Sequence, residues 1–227
     1  MKPTFQILAI YGGQIKSFEN FETAMFKSRL EGQQQLRFTG LELDSIADKK
    51  HHGGADRALH QYPVEHYDFW RKTFPQQQEW FAPGMGENIS SVGMNEHNVC
   101  IGDQYQWGEA VIEVSQPRSP CFKLSRKWGV EGFSKTMQQN SRCGWLYRVI
   151  KEGTVDCKQS LVLIHRETNA MTVAKACDYF FGNPLEKSGL QALAEQQKLA
   201  QSWMKTVHKR LTHNELENWS FRLFNHA

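Results

Sequence analysis

An α+β fold, mainly β with helices gathered at one end, is what these 227 residues predict. Three observations carry that expectation. Short apolar segments bounded by glycine turns fill most of the chain, which is the pattern of a curled sheet or barrel. From about residue 168 the apolar period becomes helical. The change divides the chain into 1–167, a β-barrel domain, and 168–227, a small domain of three helices.

Each element follows from its own residues. Ile7 to Tyr11 runs into Gly12-Gly13, Leu36 to Leu43 contains Gly40, and Ala58 to Tyr62 follows a glycine pair; all three read as strands ended by turn chemistry. Pro63 suits the first position of a helix, and Tyr67, Trp70 and Phe74 recur at spacings of three and four, predicting an amphipathic helix over 63–74. Tyr105 and Trp107 alternate with Gln104 and Gln106, Gly108 turns the chain, and Val111 to Val114 returns as a hairpin. A helix is expected from Gly132 to Gln139. Trp145, Tyr147 and Val149 alternate with Leu146, Arg148 and Ile150, and Gly153 leads into a last strand, Leu161 to Ile164. Thr172 then caps a helix carrying Val173, Ala176, Cys177 and Phe180, which Gly182-Asn183-Pro184 ends. Leu190 and Leu193 mark a second helix. Trp203, Val207 and Leu211 mark a third, with Ser202 as its expected cap.

Composition excludes several classes. A chain of this length buries roughly 70% of its unfolded surface, so its core needs neither disulfides nor a structural metal. Lys and Arg number 27 against 24 Asp and Glu, too even a balance for a duplex binder, which concentrates cations on one face. No apolar run approaches the length of a bilayer span, and the segment after Lys2 is too short and interrupted for a secretory signal. The expected location is the cytoplasm. The five cysteines, at 100, 121, 143, 157 and 177, show no Cys-x-x-Cys spacing, so reduced thiols are expected rather than a disulfide framework, a zinc site or an iron–sulfur cluster.

Two polar clusters stand out. Asp48-Lys49-Lys50-His51-His52-Gly53-Gly54-Ala55-Asp56-Arg57 reads as a loop whose glycines let backbone N–H groups approach an anion while Lys, His and Arg supply charge. A solvated charged turn explains it as well. In Ser115-Gln116-Pro117-Arg118-Ser119-Pro120-Cys121-Phe122-Lys123, two prolines stiffen the backbone before Cys121, and Arg118 and Lys123 favour its thiolate, the form that attacks electrophiles and binds soft metals. The bland alternative is a small buried hydrophobe. Glu87 and Asn88 enter a short strand and Asp103 precedes the hairpin; turn chemistry accounts for them nearly as well as a site does. Trp145 and Tyr147 read as packing or a stacking platform. No Walker loop, dinucleotide fingerprint or Gly-x-Ser-x-Gly elbow occurs.

In order along the chain, His52-Gly53-Gly54-Ala55-Asp56-Arg57-Ala58, Gly86-Glu87-Asn88, Gly102-Asp103 and Gln116-Pro117-Arg118-Ser119-Pro120-Cys121 resemble the MOSC domain family. The helical tail is similar to the three-helix domain of its bacterial YiiM-like branch. The resemblance implies a MOSC-type β-barrel that binds molybdenum cofactor, the metal held by dithiolene sulfurs of a pterin with a phosphate-bearing tail. It implies reduction of N-hydroxylated compounds, such as hydroxylaminopurine bases, to amines, without any need for pyridoxal phosphate. Cys121 would be the protein ligand to molybdenum, and His52 a proton-transfer group or a hydrogen-bond partner of the cofactor. Lys49, His52, Gly53, Gly54, Asp56, Arg57, Glu87, Asn88, Asp103, Gln116, Arg118, Cys121 and Lys123 would form the cofactor site.

Electrons must then come from an external flavin or iron–sulfur reductase, because the cysteine spacing provides no cluster. Lys198, Lys205, Lys209 and Arg210, with two histidines and no acid among them, offer the tail as a basic docking face for an acidic donor, or simply as a solvated helix face. Two other functions compete. Cys121 could carry a persulfide as a sulfur carrier, and the basic tail could serve a nucleic-acid or partner-binding module. Stoichiometric molybdenum and pterin would favour the enzyme, one added sulfur on metal-free protein the carrier, and salt-dependent binding that survives Cys121→Ala the module.

Overall fold

The computed structural model describes residues 2–77 and 79–225. The strands are β1 (Thr4–Phe5), β2 (Ile7–Gly12), β3 (Lys16–Phe18), β4 (Phe21–Thr23), β5 (Ser28–Leu30), β6 (Gln34–Arg37), β7 (Gly40–Leu41), β8 (Leu59–Pro63), β9 (Ile89–Ser91), β10 (Gln104–Trp107), β11 (Ala110–Pro117), β12 (Trp145–Lys151), β13 (Gly153–Val155) and β14 (Leu161–His165). Nine of them form one sheet in the order β1-β14-β10-β11-β12-β8-β9-β2-β5. Only Gln6 separates β1 from β2, although β1 is first and β2 next to last in that order, so the chain itself joins the two sides and curls the sheet into a near-barrel. Its pairs are antiparallel except β8 with β9. A parallel pair needs a long crossover, and this one carries α2 (after the short α1, Lys49–His52), over His66–Thr73.

Alternation fills the interior. Tyr105, Trp107, Ile112, Val114, Trp145 and Tyr147 point inward and are completely buried. Beyond β11 come α3 (Phe122–Trp128) and α4 (Phe133–Asn140), and after the barrel α5 (Val173–Cys177), α6 (Lys187–Ala194), α7 (Gln201–His213) and α8 (Ser220–Phe224). Backbone bonds lace the helical end to the barrel: Ile101 donates to the Met171 carbonyl (2.8 Å), Val173 to Val99 (2.9 Å) and Ala200 to Ser115 (2.8 Å). Among the described residues no helix is long and apolar enough to cross a membrane, and the five cysteines are free thiols.

Several expectations are corrected. The helix expected from Pro63 starts at His66, because Pro63 closes β8 opposite Ser91, past Gln61, the last residue paired with β12, and the Ser91 carbonyl takes the Val64 N–H (3.0 Å), so the missing N–H of Pro63 costs nothing. Leu36 to Leu43 is not one strand but the β6–β7 hairpin, with Gly40 at φ 119°. The cluster from Lys49 is not an open loop. Asp48 caps a helical turn by accepting the His51 N–H at 3.0 Å. Ser202 is no cap either: α7 begins at Gln201, and the preceding Ala200 is tied to β11. The short α8 has no counterpart in the apolar periodicity.

Candidate functional site

β11 leaves the sheet at Pro117, and a Pro-bounded turn delivers Cys121 to the start of α3. A cavity of about 630 Å³ opens there. Cys121, Arg118 and Gln116 form one wall, His52 and Arg57 a second, Lys27 and Asp44 a third, and Trp203, Phe221 and Arg222 a fourth. The third wall depends on Gly12 and Gly13. A Cβ on Gly13 would stand 2.6 Å from the Ala24 carbonyl, and one on Gly12 2.6 Å from that of Leu43, so only glycine admits these two loops.

The Cys121 backbone is held from several directions. Its carbonyl accepts the Ser134 hydroxyl (2.5 Å) and the Leu124 N–H (3.1 Å), the Arg118 N–H reaches the Gly144 carbonyl (3.1 Å), and Arg222 donates to the Pro120 carbonyl. The residue is buried, at 6% exposure. Burial by itself raises a thiol's pKa, but the hydrogen bond with His52, the charges of His52 and Arg118 and the Lys123 backbone N–H outweigh it and bring Cys121 down to about 7. Six Lys and Arg and three Asp and Glu line the cavity. Each acid is already paired, Asp44 with Lys27, Asp48 with His51 and Glu217 with Arg210. The unmatched charge is positive, which suits an anionic ligand.

The structure therefore brings together Cys121, His52, Arg57, Asn88, Gln116, Arg118 and Lys123. Arg57 spans to the Ser202 hydroxyl (3.2 Å), which donates in turn to Gln116 Oε1 (3.2 Å). The only side-chain hydrogen bond of Arg118 among the described residues goes to the Met137 sulfur at 3.6 Å, leaving most of its donors unspent. Lys123 donates to the Glu22 carbonyl (3.1 Å) and lies over the Phe21 ring.

Other expected residues lie elsewhere. Lys49 does not line the cavity; its neighbour Lys50 does. Gly53, Gly54 and Asp56 face a second, shallower cavity, where Asp56 accepts Arg148 Nε at 2.7 Å and the Gln201 N–H at 3.2 Å. Glu87 lies behind the wall, completely buried, accepting the Tyr67 hydroxyl (2.7 Å) and the Met85 N–H (3.0 Å); burial raises its pKa. It holds the turn that carries Asn88, whose amide bonds Asp44 (2.7 Å) and whose Oδ1 accepts the His60 N–H (3.0 Å). Asp103 is remote from both cavities, locked to Arg166 at 2.5 Å and 2.6 Å. The proposed basic face of the tail also loses a member, since Arg210 is 1% exposed and bonded to Glu217 and the Phe180 carbonyl.

Sequence reasoning missed Lys27, Asp44 and His60, and all of α8. For the first two the only sequence signal is the adjacent Gly12-Gly13 pair. His60 reads as one position of a strand, yet it faces the cavity, and burial keeps its imidazole well below its usual pKa. Among the described residues no three His, Cys, Asp or Glu side chains are grouped to hold a metal ion. A metal at Cys121 would have to bring its other ligands with it.

Comparisons with known proteins agree with this architecture. The MOSC domain family model matches residues 48–162, and the YiiM-like, 3-alpha helix domain model matches residues 171–214. Protein YiiM of Escherichia coli (strain K12) is 41% identical over 217 residues, 95% of this chain and 96% of that protein. A protein of Gibberella moniliformis described as a reductase is 37% identical over 157 residues, 68% of this chain but 27% of its own length. The crystal structure of YiiM from Escherichia coli superposes with a TM-score of 0.84 at 35% identity, covering 97% of this chain and 98% of that one. On sequence and fold alike, the chain belongs to the MOSC domain family, as a YiiM-like member.

Proposed function

We propose that this protein is a molybdenum-cofactor-dependent reductase that converts N-hydroxylated compounds, 6-N-hydroxylaminopurine among them, to amines. Membership of the MOSC family supports molybdenum-cofactor-related chemistry in general. The observation that carries the finer reading is Cys121: a thiol with a pKa brought down to about 7, turned into a cation-lined cavity of about 630 Å³. The residues fit the group. A soft thiolate is the donor a molybdenum–dithiolene centre takes from a protein, and the surplus of Lys and Arg suits an anionic pterin with a phosphate tail.

Bound there, the cofactor would supply the two-electron chemistry that cleaves the N–O bond. The chain's own residues do the rest. Cys121 would hold the metal. Arg57, Arg118 and Lys123 would meet the anionic parts of the ligand, and Gln116 and Ser202 would fix Arg57 against the wall. His52, hydrogen-bonded to the sulfur, can pass one of the two protons the reaction consumes, R–NHOH + 2 e⁻ + 2 H⁺ giving R–NH₂ and H₂O. Electrons would come from an external flavin or iron–sulfur reductase. The fungal relative described as a reductase accords with this direction of chemistry.

Metal and pterin analysis of protein made in a cofactor-competent host tests the reading. Near-stoichiometric molybdenum with an oxidisable pterin, lost in Cys121→Ser, is the expected result. Metal-free protein carrying one added sulfur on Cys121 would replace it with the sulfur-carrier reading.

A further inference from the structure

The short helix α8 lies beyond both family matches, which end at residues 162 and 214, yet Phe221, Arg222 and Asn225 line the Cys121 cavity. Its position is fixed at both ends. After α7, Asn214 turns the chain at φ 52°, and Glu217 binds buried Arg210 (2.6 Å and 3.0 Å) and the Trp219 indole N–H (2.9 Å). At the far side Arg222 donates to the Pro120 carbonyl and to Gln138 Oε1 (2.6 Å), beside the Cys121 turn. A helix anchored in this way presents its side chains to the cavity already ordered.

Phe221 is 61% exposed, although the other large aromatics of that wall, Phe180 and Trp203, are buried at 5% and 3% and stacked on each other. Asn225 closes the helix as its left-handed cap at φ 62°, its N–H bonded to the Phe221 carbonyl (3.0 Å), and the exposed ring and the exposed amide residue both line the cavity. An open aromatic face beside an amide, which offers a donor and an acceptor side by side, complements a flat ring whose edge carries both, as an aminopurine edge does.

We propose that Phe221 is a specificity-determining residue of the cavity, stacking on flat heteroaromatic substrates while Asn225 pairs with their edge. The inference rests on the reductase reading for its substrate class, and it assigns to this chain's last helix the selection of nucleobase-like rings over open-chain hydroxylamines. Stacking engages the ring rather than the N–O bond that breaks, so it contributes binding common to ground and transition states and acts through KM rather than kcat.

Equilibrium binding of adenine, the amine product, to the as-isolated full-length protein tests this without turnover. Phe221→Ala is expected to weaken adenine binding about fivefold, and Phe221→Trp to restore it. In parallel, Phe221→Ala should lower kcat/KM for 6-N-hydroxylaminopurine relative to an open-chain hydroxylamine. Undetectable adenine binding to the unaltered protein, equal affinity in Phe221→Ala, or equal loss in Phe221→Ala and Phe221→Trp would each overturn the proposal. Adenine binding that depends on Phe221 in a protein that reduces nothing would uphold it and remove the reductase reading instead.

Discussion

Two corners of the barrel carry buried polar residues that look alike in sequence, and they differ in what their hydrogen bonds leave over. At the Asp103 corner every acceptor is engaged: the carboxylate takes the Cys100 N–H (2.8 Å), the Tyr105 hydroxyl (3.1 Å) and two Arg166 donors (2.5 Å and 2.6 Å). At the Cys121 corner the backbone is equally well held, but Arg118, Lys50 and Lys123 keep donors facing a cavity, and the sulfur lies among cations. A closed set of bonds stabilises a turn. An open set, on an equally rigid frame, is able to bind something.

Substitutions can break this contrast from either side. The largest effect is expected at the open corner. Cys121→Ser should bring reduction of 6-N-hydroxylaminopurine below detection while a denaturant melt at pH 7 moves by no more than about 1 kcal/mol. Asp103→Ala should do the reverse. It strands a buried N–H and a buried hydroxyl and removes the partner of Arg166, a loss of about 3 kcal/mol in the melt, with cofactor content per folded molecule unchanged.

A smaller effect sharpens the electrostatics. In cofactor-free protein the folded pKa of Cys121 lies at about 7, below its ordinary 9.0, so between those values the folded state binds fewer protons than the unfolded one. Stability from this group is therefore full above pH 9 and is lost as pH falls through 7, a change of about 3 kcal/mol at most. Melts of the native chain should show that rise with pH, and Cys121→Ser should flatten it. The smallest effect separates neighbours. Lys50→Ala should reduce cofactor retention, whereas Lys49→Ala, outside the cavity, should leave retention and stability within about 0.5 kcal/mol of the parent.

Much of this was legible locally. Alternation predicted β10 and β12, where one buried face imposes a period of two, and apolar runs introduced by glycine turns predicted β11 and β14, all to within a few residues. Thr172 caps α5 as its side chain predicts, accepting the Lys175 N–H at 3.2 Å. The reading failed where pairing with a distant strand overrode local preference, as at Pro63, and where a polar cluster spent its groups on its own turn, as at Asp48.

The amino-acid order alone determined the period of each element, the proline-stiffened exit that carries Cys121, and the motifs shared with the MOSC family, since all of these are set by neighbours along the chain. Only the tertiary structure decided which polar groups remain unspent. His52 meets Cys121 across 69 positions of chain, Arg222 reaches Pro120 across 102, and Lys27 enters through the space left by Gly13. Such contacts form when the barrel closes and α8 folds back over its rim, and no local periodicity encodes them.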